Sequence, residues 1–95
     1  MSLETPSRNY GAFFYELSSP ERVAAVRYID ELAKRYPVTA AQATAGPGND
    51  GEVYVYALLP EDEDREIEMR GTAARITSKI RLQTGVSILM MSGPE

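Results

Sequence analysis

Gly46-Pro47-Gly48-Asn49-Asp50-Gly51-Glu52-Val53-Tyr54-Val55-Tyr56-Ala57-Leu58-Leu59-Pro60 is the stretch on which the reading of this chain turns. Its first six residues are dense in the residue types that close turns. Residues 52–59 are β-branched and aromatic and read as the clearest strand. Pro60 ends it. Upstream, residues 38–45 read as a weaker strand, so the turn makes the two a hairpin. Downstream, acid comes first (Glu61, Asp62, Glu63, Asp64, Glu66, Glu68) and base last (Arg70, Arg75, Lys79, Arg81). That order matches the dipole of a helix. Met69, Ala73, Ile76 and Ile80 fall at intervals of four, three and four and form its apolar stripe. Gly71 weakens this helix, and Gly85 stands where a C-cap belongs. Residues 86–91 read as a last strand.

On the other side, Ser18-Ser19-Pro20-Glu21 is a helix start, either with Ser19 as N-cap and Pro20 at the first helical position or with Ser18 and Glu21 as a capping box. Val26, Ile29, Ala33 and Tyr36 give that helix a buried stripe, and Pro37 stops it. Residues 10–17 (Tyr-Gly-Ala-Phe-Phe-Tyr-Glu-Leu) are aromatic-rich and read as a first strand. Residues 1–9 read as a flexible arm, 10–92 as one domain and 93–95 as a loose tail. The resulting order is β-α-β-β-α-β, that of the ferredoxin-like α+β fold. In that fold the sheet has four antiparallel strands, the first and third central, with two helices on one face.

The other face of such a sheet is bare. Val53, Val55 and Ala57 suit the helix side, which turns Tyr54 and Tyr56 outward. Glu16 disfavours its own side for the core, so Tyr10, Phe14 and Glu16 join the open face. The last strand is apolar on both sides and adds Met90 or a leucine. Packing of this face against a second copy is the expected use, giving a homo-oligomer with a structural or regulatory role. Arg75 and Lys79, one helical turn apart, are a candidate anion contact, with ordinary helix C-terminal charge as the plainer reading.

Two resemblances offer other uses. Gly51-Glu52-Val53-Tyr54-Val55-Tyr56 resembles the RNA-stacking strand of RRM domains, but lacks a leading Lys or Arg and carries Glu52. The element order resembles that of ACT domains, which implies a small-molecule ligand near residues 18–21 or at a dimer seam. The net charge of −4 over 95 residues disfavours nucleic acid as the main partner.

Composition narrows the chemistry. The chain has no Cys and no His, which excludes disulfides, thiolate or His-based catalysis and His-ligated metals. Residues 52–91 resemble the second half of minimal nucleotidyltransferases in element order only, without the Gly-Ser motif or paired Asp. No enzyme activity, cofactor or metal is expected. No apolar run is long enough to span a membrane, no secretory signal opens the chain, and a cytoplasmic location is the expectation.

Overall fold

A computed structural model describes residues 10–92. The arm expected over 1–9 and the tail over 93–95 lie outside the described residues. A 3-10 turn at Phe14–Glu16 leads into helix α1 (Ser19–Ala33), a short helix α2 (Pro37–Ala41), strands β1 (Thr44–Pro47) and β2 (Val53–Ala57), helix α3 (Glu63–Thr84) and strand β3 (Ile88–Ser92). The sheet has three strands in the order β1-β2-β3. β1 is antiparallel to β2, and β2 is parallel to β3.

This overturns the four-stranded antiparallel ferredoxin-like sheet. β2, α3 and β3 run up, back and up again, which makes β2 and β3 parallel whether or not a strand lies between them. In the expected fold the first strand separates them. Here they pair directly, because residues 10–17 are not a strand. The Phe14 amide donates to the Gly11 carbonyl (3.3 Å), Glu16 to Phe13 (3.1 Å) and Leu17 to Phe14 (3.2 Å), which closes a helical turn. The Ala45 amide donates to the Tyr10 carbonyl (2.8 Å), on the outer side of β1. The aromatics of this segment are spent on packing: Tyr10 and Phe14 stack with ring centroids 4.8 Å apart, and both are buried with Leu17.

The strand expected over 38–45 is helix in its first half and strand only at its end. Pro37 opens α2, in the first turn, where a missing N–H costs no hydrogen bond. β1 starts only at Thr44 and runs into the expected turn as far as Pro47.

Both long helices form where local signals place them. The Ser18 hydroxyl accepts from the Glu21 amide (3.3 Å), while Glu21 Oε1 accepts from the Ser18 amide (2.8 Å). This capping box satisfies two of the four orphan donors at the start of α1. Ser18→Ala is expected to cost about 1 kcal/mol in urea unfolding; no change in the midpoint would show the box to be idle. At α3 the Asp62 carboxylate accepts from the amides of Asp64 (2.9 Å) and Arg65 (3.4 Å). Its other end closes on Gly85 in left-handed conformation.

The core lies between the two long helices and one face of the sheet. Tyr28, Ile29 and Leu32 of α1, Met69 and Ile80 of α3, Val53 and Val55 of β2 and Ile88 of β3 are its largest fully buried side chains. The α3 stripe Met69, Ala73, Ile76 and Ile80 is buried throughout, as its spacing predicts. On α1, Ile29 is buried but Val26 and Ala33 only flank the core, which is led by Tyr28 and Leu32. The Tyr28 hydroxyl donates to the Ala73 carbonyl (3.3 Å). It lies 3.5 Å from Thr77 Oγ1, which in turn donates to the Ile88 carbonyl (2.9 Å). One polar chain thus ties α1, α3 and β3 together. Burial pushes the Tyr28 phenol above its ordinary pKa, and the Thr77 contact offsets this in part.

Candidate interaction face of the sheet

The register of the three strands builds the open face in two rows. Thr44, Tyr56 and Met91 form one row, and Gly46, Tyr54 and Leu89 the other. Alternation along β2 buries Val53, Val55 and Ala57 and leaves Tyr54 and Tyr56 half-buried. At β3 this side is open: Leu89 keeps 41% of its surface in solvent and Met91 36%. Tyr54 and Tyr56 meet edge to face, centroids 6.3 Å apart, which holds both rings over the sheet.

Two glycines make room for rings. A Cβ on Gly48 would lie 2.4 Å from the Tyr54 ring, so the ring rests directly on backbone. At Gly46 it would come within 3.1 Å of Phe13 Cβ. Phe13, almost half exposed, therefore leans over β1 and shares with Pro47 and Tyr56 a hollow of about 350 Å³ above Gly46.

Of the residues expected on this face, Tyr54 and Tyr56 stand there. Tyr10 and Phe14 are in the core, and Glu16 is exposed on the 3-10 turn. Met90 has the parity of Ile88 and packs, half-buried, against the core. Its place on the open face is taken by Leu89 and Met91. Phe13 belongs to the face as well.

The sheet's two edges differ. On β1 the outward Ala45 amide is occupied by Tyr10, and Pro47 has no amide to offer. On β3 the Val53 amide donates to the Ser87 carbonyl (2.9 Å). With a period of two, the polar groups of Leu89 and Met91 then face β2, and those of Ile88 and Met90 face outward. Thr77 occupies the Ile88 carbonyl. The Met90 amide and carbonyl have no partner among the described residues.

Arg75 and Lys79 are brought to one groove between α1 and α3, together with Lys34 and Arg35. The cations there are mostly engaged. Lys34 and Lys79 each lie 3.2 Å from the Glu31 carboxylate, and Arg35 lies 3.1 Å from that of Glu68. Arg75 donates to Thr72 Oγ1 (3.3 Å). The Lys34 and Lys79 hydrogen bonds hold the Glu31 carboxyl below the ordinary carboxylate range. The groove is thus a helix-to-helix ion-pair network with its own internal counter-ion.

Comparison of the chain with known protein families, curated proteins and solved structures finds no match. The acidic run 61–68 serves helix capping and ion pairs: Asp62 caps α3, and Glu66 pairs with Arg70 at 3.0 Å. Among the described residues no three acidic side chains converge as a metal site, and no helix is long and apolar enough to cross a membrane.

Proposed function

We propose that this chain is a non-catalytic association module whose copies bind one another through the uncovered face of the sheet. The observation that carries this reading is the pair of cross-strand rows, which present Tyr54, Tyr56, Leu89 and Met91 on one side with Phe13 beside them. None of these side chains is charged, so two copies of the face can meet without repulsion or the cost of burying an ion. An apolar sheet face of this kind gains free energy when covered.

Size sets the expected strength. Three strands ~4.8 Å apart and four or five residues long span roughly 14 Å by at most about 17 Å. That is well short of the ~800 Å² per partner of a standard interface. Association is therefore expected to be concentration-dependent and weak at micromolar levels. Light scattering after size exclusion tests it, from about 10 μM to about 1 mM. The mass should climb from one chain toward two, and Tyr54→Glu with Tyr56→Glu should hold it at one. A single-chain mass of the unaltered protein throughout would overturn the reading.

The β3 edge favours a second arrangement. Ile88–Ser92 carries no charge, no proline and an unpartnered Met90 amide and carbonyl, so two copies could pair antiparallel along it. Met90→Pro removes an amide that the β2 ladder does not use, and it separates the two arrangements. Loss of the dimer in Met90→Pro alone assigns the edge; loss in the tyrosine variant alone assigns the face. The element order that suggested an ACT-like reading is not the one observed.

A further inference from the structure

At the carboxyl end of β2 a groove of about 390 Å³ opens between the end of α1, α2, the loop after β2 and the first turn of α3. It shares no residue with the open face. Its volume suits one small organic molecule. Crevices beyond the carboxyl end of a strand that feeds a crossover helix are where open α/β sheets commonly take ligands.

Three observations give the groove a chemistry. Val38 and Leu58 expose 75% and 49% of their surface beside it, with Pro37 and Pro60 completing apolar walls. Arg65 reaches it from α3, and its guanidinium has no ion-pair partner among the described residues, unlike that of Arg35, held by Glu68. Tyr36 also lines it, only 6% exposed, and its hydroxyl is buried with no hydrogen-bond partner among the described residues. A buried phenol hydroxyl is normally satisfied, so one without a partner calls for a group that the described residues do not supply. A planar cationic fork and a hydroxyl donor each suit a carboxylate.

We propose that this groove binds a small organic monocarboxylate with an apolar body, its carboxylate taken by Arg65 and Tyr36 and its body laid against Val38, Leu58 and Pro60. The surrounding charge favours a single negative charge. Glu61 stands on the rim, and Glu63 and Asp64 follow in the first turn of α3, so a phosphate dianion meets about twice the repulsion of a monoanion.

Amide chemical-shift titration of the full chain with phenylbutyrate and with octanoate tests this. Saturable shifts are expected at Val38, Thr39, Gln42, Leu58 and Leu59 below about 10 mM ligand. The amide of phenylbutyric acid should bind at least about tenfold more weakly, since it cannot form the charge-assisted pair. Arg65→Gln, an exposed change that leaves the core intact, should cost a similar factor. Tyr36→Phe keeps the buried ring and should weaken binding without unfolding the chain. No saturable shift with either acid would overturn the proposal, as would equal binding of acid and amide. Unchanged affinity in Tyr36→Phe would overturn the hydroxyl's role, and unchanged affinity in Arg65→Gln that of the guanidinium.

Discussion

Tyr28→Ala is expected to lower the unfolding free energy by about 3–5 kcal/mol, the range for deleting a large aromatic from a core. Tyr28 has no exposed surface. Its ring fills the space between α1 and α3, and its hydroxyl is the first link of the chain through Thr77 to the Ile88 carbonyl. Alanine leaves a cavity, strips the Ala73 carbonyl of a donor and loosens the Thr77 side chain that holds the edge of β3. A chain this small has a total stability on the order of 5–15 kcal/mol, so the variant should sit close to unfolding at ordinary temperature. Tyr28→Phe separates the terms. It keeps the ring and loses only the hydroxyl, which should cost about 1 kcal/mol. Urea midpoints of the two variants read this directly. Equal midpoints would show that the hydroxyl, and not the ring, carries the contact between the helices.

What could be read from the residues alone was local. The Ser18 box, the α3 stripe and the Gly85 cap each rest on signals within a few residues and form, and the strand expected over 52–59 forms over Val53–Ala57. Residues 10–17 combine strand-like aromatic content with a helical period, and the period decides. Tyr10, Phe14 and Leu17, the buried members, are spaced four and three, the helical interval. Pro37 marked a boundary in both readings, but it opens α2 as well as following α1. Strand order was not legible, because an intervening strand leaves β2, α3 and β3 with the same local sequence. Tyr54 and Tyr56 could be placed since the small branched residues between them marked the inner side. β3 offered no such contrast, being apolar on both sides, and there Met90 was assigned to the wrong one. The groove at the end of β2 joins segments far apart in sequence, and no single run announces it.

That ambiguity makes β3 the place where one residue of register has the largest consequence. Ile88→Asp is expected to cost about 3–5 kcal/mol, because a carboxylate at this fully buried position has no cation to meet and must be desolvated. Leu89→Asp, one residue on, should change stability by no more than about 0.5 kcal/mol, since its side chain already faces solvent. The same Leu89→Asp places a charge in the middle of the Gly46–Tyr54–Leu89 row and should hold the chain monomeric where the unaltered protein associates. Thermal unfolding of the two variants, followed by the mass of the surviving one, therefore reads fold and function in sequence. The reverse order, a tolerated Ile88→Asp and a destabilising Leu89→Asp, would mean that β3 lies one residue out of register. A slip of one turns the whole strand over, so Ile88 and Met90 would then be the open-face residues and Leu89 and Met91 the core.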